Sequence, residues 1–210
     1  MKIISLVYVK GGCGKSLLSQ AISVHANAGK GYAALIDADP LQSTLAWASR
    51  RTEETPLVIG ANSGNLEKVI EAAQADGIKY LIIDTPPHVG SIIDQVVRQS
   101  DLVIMPIWPT PSHLDAVEQG WKRLKSAKRI LGVLNMVPTD SSADGDEAVE
   151  VVSYHAPDLK LAKTRLHQRK PFWKPQASGQ AISDQAPTKA NQKAHSEIQG
   201  LWNEIKKELK

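Results

Sequence analysis

A short apolar run, Ile3 to Val9, leads directly into Lys10-Gly11-Gly12-Cys13-Gly14-Lys15-Ser16, and a helical pattern follows from Lys15 to Ala28. A strand that feeds a glycine-rich turn opening a helix leaves few folds available. Three glycines let backbone N–H groups turn inward together, and the helix adds its N-terminal dipole. Lys15 then reaches terminal phosphates, and Ser16 offers a hydroxyl to a divalent cation. The general phosphate-loop pattern is glycine, four residues, then Gly-Lys-Ser/Thr; Gly14, Lys15 and Ser16 meet it, while Val9 stands where the first glycine belongs. The loop is a variant form, with a second lysine, Lys10, at its start.

Strand-like and helix-like runs alternate beyond it. Tyr32 to Ile36, Leu57 to Ala61, Tyr80 to Ile83, Leu102 to Ile107 and Ile130 to Met136 are apolar on both faces. Between them lie the helical candidates Leu41 to Arg50, Leu66 to Ala75, Ile92 to Gln99 and Leu114 to Ala127. This predicts an α/β layout: a doubly wound, mostly parallel sheet flanked by helices on both faces, with ligands at the carboxyl ends of the strands.

After Met136 the pattern weakens. Pro138 to Asp146 is polar and turn-rich, and Pro171 to Pro187 reads as an ordered surface loop. Ala194, Ile198, Leu201, Trp202, Ile205 and Leu209 recur at helical spacing, predicting an amphipathic C-terminal helix over about 189–209. A length of 210 residues with 42% apolar side chains suits one domain over 1–210. The opening apolar run is short for an export signal and lacks a small-residue cleavage site. No apolar run approaches the roughly 20 residues that cross a bilayer, and one cysteine makes no internal disulfide, so a cytoplasmic protein is expected.

Two acidic sites fall where phosphate chemistry needs them. Leu35-Ile36-Asp37-Ala38-Asp39-Pro40 ends the second strand, and Tyr80-Leu81-Ile82-Ile83-Asp84 ends a later one. Three carboxylates would then project from neighbouring strand ends towards a divalent cation and an attacking water.

Together, Lys10 and Lys15 in KGGCGKS, Asp37 and Asp39 in LIDADP, and Asp84 in IIDTPP resemble the deviant Walker motifs of the ParA/MinD family of P-loop NTPases. The resemblance extends over most of the chain and implies an ATPase that uses ATP and Mg²⁺. It implies a nucleotide site from Gly11, Gly12, Cys13, Gly14, Lys15, Ser16 and Leu17, with Asn135 of GVLNM at the adenine. Ser16, Asp37 and Asp84 would belong to the Mg²⁺ shell, and Asp39 would position the hydrolytic water. Lys10 would reach the partner's nucleotide in an ATP-bound homodimer, since the tight loop already satisfies its own phosphates. Thr85 to Ser91 would sense the γ-phosphate.

The lone Cys13 cannot supply the paired thiolates of the iron–sulfur relatives, although loop amides and Lys15 would favour a lowered thiol pKa. The layout is most like small ParA (ParF-type) plasmid partition ATPases, which lack an N-terminal helix-turn-helix. That implies binding of nonspecific DNA on the nucleoid and a centromere-binding or cargo-adaptor protein as partner. From Lys160 onward there are 11 Lys or Arg against 4 Asp or Glu, leaving 14 against 18 before it. Arg165, Arg169, Lys170 and Lys174 are candidate DNA contacts, with Lys122, Arg123, Lys125, Lys128 and Arg129 as a second patch. A MinD-like membrane function, resting on the final helix with Lys206, Lys207 and Lys210, and an ATP-dependent metabolic synthase are the alternatives.

Overall fold

The structure, a computed structural model, describes residues 1–28, 32–87, 90–140 and 143–210. Six strands pair in one sheet: β1 (Lys2–Leu6), β2 (Ala33–Asp37), β3 (Leu57–Gly60), β4 (Tyr80–Asp84), β5 (Leu102–Ile107) and β6 (Ile130–Leu134). Their order is β3-β2-β4-β1-β5-β6, and every pairing is parallel. Successive strand residues face opposite sides, so the apolar runs feed two cores. Ile3, Leu81 and Val103 join one, under α3 (Leu66–Ala75), α4 (Ser91–Gln99), α6 (Val117–Leu124) and α7 (Ala143–His155). Ile4, Ile82 and Ile104 join the other, under α1 (Lys15–Ala28), α2 (Ser43–Ala48), α8 (Lys170–Trp173) and α9 (Gln192–Glu208).

The doubly wound expectation holds, and the bounds of α1, α3 and β5 are those read from the sequence. Three segments differ. The helix expected over Leu114 to Ala127 is split into α5 (Pro111–Leu114) and α6. The Tyr8 hydroxyl donates to the His113 carbonyl, which also takes the Ala116 N–H, so the ordinary i to i+4 ladder is interrupted there. Helix α7 was not foreseen; its buried Ala148 and Val152 pack on the first core.

The third difference is the expected surface loop at Pro171 to Pro187, which folds as α8 and two 3₁₀ turns, Lys174–Ser178 and Ile182–Asp184. Phe172, Pro175, Ala181 and Ile182 are buried. Gly179, at φ 69°, lies so close to the end of α2 that a Cβ would meet Arg51 N at 2.4 Å. Arg51, whose side chain is only 3% exposed, donates to the Gly179 and Thr55 carbonyls and pairs with Asp184 at 2.8 Å. The segment lacks periodicity because these point contacts, rather than a repeating face, fix it.

The apolar stripe of α9 is buried in the second core, with Ala194, Ile198, Leu201 and Ile205 fully enclosed. That leaves no apolar face on this helix for a bilayer interface. Among the described residues no helix is long and apolar enough to cross a membrane.

Candidate nucleotide site

Loop 10–16 leaves β1 at the centre of the sheet and enters α1 at Lys15. Lys15 is buried, and its Nζ donates to the carbonyls of Lys10 at 3.2 Å and Tyr8 at 3.4 Å. Lys10 is exposed. One lysine therefore turns into the loop and the other stands outside it. Gly14 adopts φ 82°, and a Cβ there would meet Asn135 Nδ2 at 2.6 Å, so only glycine fits. Asn135, at the end of β6, donates from Nδ2 to the Cys13 carbonyl at 2.7 Å. Cys13 is wholly buried, and burial pushes its thiol pKa up, opposite to the lowering that the sequence suggested.

A second support has no signature along the chain. His113 Nε2 lies 3.0 Å from the Gly11 carbonyl and Nδ1 lies 2.9 Å from Thr110 Oγ1, which orients the ring. A histidine beside two prolines and a threonine reads as a turn residue; only the fold brings it to the loop.

Register explains how the carboxylates meet. Asp37 of β2 is paired across from Asp84 of β4, whose other neighbour in β1 is Leu6, just before the loop. Asp37 accepts from the N–H groups of Asp39, Thr44 and Leu45 at 2.9–3.1 Å, so it anchors the start of α2, which has no side-chain cap of its own. Asp39 is half-buried, and its Oδ1 accepts the Leu41 N–H at 2.9 Å. Thr85 is buried and donates to the Leu6 carbonyl; residues 88 and 89 of the expected switch segment lie outside the described residues. Among the described residues the two non-glycine positions with positive φ, Gln42 (52°) and Met136 (59°), both flank this site.

Asp84 is fully buried, with Oδ2 accepting the Thr44 hydroxyl at 2.8 Å and Oδ1 accepting no hydrogen bond among the described residues. Burial pushes its pKa up to about 6, although the Ser16 and Thr44 hydroxyls favour the charged form. An open, buried carboxylate oxygen near the Ser16 hydroxyl fits a divalent cation, which would replace the water that burial removes. The raised value also sets a pH dependence. Between its ordinary value of 3.8 and about 6 the folded chain keeps a proton that the unfolded chain has released, so stability falls as pH rises through that window. At about 1.4 kcal/mol per unit the loss is on the order of 2–3 kcal/mol. Urea unfolding of the nucleotide-free protein should show this decline, and Asp84→Asn should flatten it.

A mostly apolar cavity of about 260 Å³ opens where α1 leaves the loop, lined by Leu17, Leu18, Asn135, Met136, Phe172 and Trp173. Its far wall exists because residues 160–168 run beside β6, bonding to it at Gly132 and Leu134 and to Val137 just beyond it. A second cavity, about 420 Å³, lies beside Asp37, Asp39 and Asn62.

The basic candidates separate. Arg165 pairs with Asp146 at 2.6 Å, and Arg169, which lines the first cavity, pairs with Glu197 at 2.8 Å. Lys170 and Lys174 are exposed. In the second patch Lys122, Arg123 and Lys128 pair with Glu118, Asp94 and Asp101, and Arg129 donates to the Glu208 carbonyl.

Comparison with known proteins fits this picture. The sequence profile of the VirC1 protein family matches residues 1–131. The maintenance of carboxysome distribution protein A of Halothiobacillus neapolitanus is 27% identical over 130 residues, 60% of this chain and 59% of that protein, so the chain spans less than two thirds of that relative's length. The McdA–ATP complex of Cyanothece superposes with a TM-score of 0.71 at 15% identity, covering 100% of this chain and 96% of that one. MinD of Pyrococcus horikoshii with Mg-ADP gives 0.74 at 19%, covering 97% and 95%. These superpositions establish the P-loop NTPase fold.

Proposed function

The chain belongs to the VirC1 protein family, a ParA-like family, and on that premise we propose that it is an ATP-driven dimerising switch that positions a cargo on nonspecific DNA. The observation that carries most weight is the pair of loop lysines, Lys15 buried inside and Lys10 exposed outside. A lysine directed out of a loop that already holds its own phosphates is free for the phosphates of a second subunit. We read residues 1–210 as one ATPase domain closed by α9.

In this reading the amides of Gly11 to Ser16 cradle the phosphates, and Lys15 exchanges its two carbonyl partners for phosphate oxygens. Adenine enters the cavity between Leu17 and Phe172, with Asn135 at its edge. Ser16 and Asp84 would hold Mg²⁺, with Asp37 fixing the strand end beside them. When bound, the ion neutralises charge between the phosphates. Asp39 orients the attacking water. ATP then favours the closed dimer and hydrolysis releases it.

Relatives named for carboxysome distribution support cargo positioning as the class of work, and the same motifs serve plasmid partition. A cargo-adaptor or centromere-binding protein would trigger hydrolysis. Lys170 and Lys174 are the DNA contacts we retain, since Arg165 and Arg169 are held by carboxylates. The buried α9 stripe speaks against the membrane reading.

ATP-dependent retention on DNA in low salt, set beside liposome pelleting, tests the proposal. Retention on DNA is expected, and reversing both Lys170 and Lys174 to Glu should reduce the salt slope by about 2 with ATP binding unchanged. Pelleting with liposomes and indifference to DNA would overturn it.

A further inference from the structure

Asp84 is reached by a line of side chains that begins outside the phosphate loop, on the first 3₁₀ turn. Gln176 Nε2, on the first 3₁₀ turn, donates to Gln20 Oε1 at 2.5 Å; Gln20 Nε2, on α1, donates to Thr44 Oγ1 at 3.0 Å; Thr44 Oγ1 donates to Asp84 Oδ2 at 2.8 Å. Gln20, Thr44 and Asp84 are at most 2% exposed. The acid dictates the sense of the whole line. A buried carboxylate only accepts, so Thr44 must donate to it. The Thr44 oxygen is then left to accept from the Gln20 amide N–H₂, and Gln20 must present its carbonyl oxygen to Gln176. Every donor points the same way, which polarises each bond in turn. Thr44 cannot drift, because its backbone N–H is held by Asp37 Oδ2 at 2.9 Å.

We propose that Gln176, Gln20 and Thr44 form a one-way hydrogen-bond relay that positions the Asp84 carboxylate, occupying Oδ2 so that Oδ1 stays open to Mg²⁺. The proposal rests on the reading of Asp84 as a Mg²⁺ ligand. The three are positioning residues: they act through Asp84 and meet neither phosphate nor base. Without the Thr44 hydroxyl the carboxylate is free to rotate, and both oxygens compete for the cation and for Ser16. Partners that orient a metal ligand in this way typically contribute about 10- to 100-fold in metal affinity.

The test measures the binding of a fluorescent ATP analogue to the full chain, with saturating Mg²⁺ and with EDTA. Their ratio is the gain due to the ion, and the EDTA value reports whether each variant is folded. Thr44→Val should lower the gain about 10-fold with the EDTA affinity intact, and Thr44→Ser should restore it. Gln176→Ala should lower it less, and should add nothing further in the Thr44→Val background. An unchanged gain in Thr44→Val, failure of Thr44→Ser to restore it, or losses that add in full would overturn the relay while leaving the nucleotide site standing. A wild-type chain that shows no Mg²⁺ gain would overturn the nucleotide reading, and the relay with it.

Discussion

Lys15→Ala should weaken ATP binding by about 10²- to 10³-fold, the equivalent of two charge-assisted hydrogen bonds to phosphate. Among the described residues the buried Lys15 ammonium donates to the Lys10 and Tyr8 carbonyls, at distances that leave both bonds long. Phosphate oxygens offer charge as well as shorter contacts, so the exchange favours the ligand. Alanine removes the charge, and it also frees two carbonyls that hold the loop in shape. Lys10→Ala is the informative companion. Lys10 is exposed, so the isolated subunit should keep its ATP affinity within about twofold, as for a surface substitution. The loss should appear in ATP-dependent dimerisation, read by light scattering or analytical ultracentrifugation. Equal losses of nucleotide affinity in the two variants would place both lysines on one phosphate chain and remove the dimer reading.

Legibility in the sequence followed the range over which each feature is determined. The loop and α1 are contiguous, and their glycines, lysine and helical pattern lie within 19 residues, from Lys10 to Ala28. Asp37 and Asp84 were recognisable because both end apolar strand runs, and a parallel sheet in register then makes them neighbours. The relay was not recognisable. Gln20 looks like an ordinary position within α1 and Thr44 like one in the first turn of α2, and Gln176 meets Gln20 across 156 residues of chain. His113 was missed for the same reason, at 102 residues from Gly11. The wall of the apolar cavity depends on an irregular stretch lying along β6, where no periodicity marks it. Charge counting also misled in part: the excess of Lys and Arg after residue 160 includes Arg165 and Arg169, which the fold binds to acids far along the chain.

Asp39→Ala should separate binding from hydrolysis. Among the described residues the side chain accepts one hydrogen bond, from the Leu41 N–H in the turn that precedes α2, and it is only half-buried. Removing it leaves the Asp37 contacts with Thr44 and Leu45 in place, because the Asp39 link to Asp37 runs through its backbone N–H. The start of α2, the position of Thr44 and the relay to Asp84 therefore survive, and a large loss of stability is not expected. What disappears is a carboxylate at the edge of the cavity beside Asn62, where it can accept a proton from water. A positioned base of this kind typically contributes about 10²- to 10⁴-fold to rate, so hydrolysis should fall by at least about 10²-fold while ATP affinity changes little. ATP should consequently accumulate in the dimer instead of being turned over, and ATP-dependent DNA retention should persist where the wild type releases. A variant that hydrolyses ATP at the wild-type rate would take the water-positioning role away from Asp39. A variant that neither binds nor hydrolyses would show that the Asp39 carboxylate holds the nucleotide site itself in shape, through the turn at Leu41.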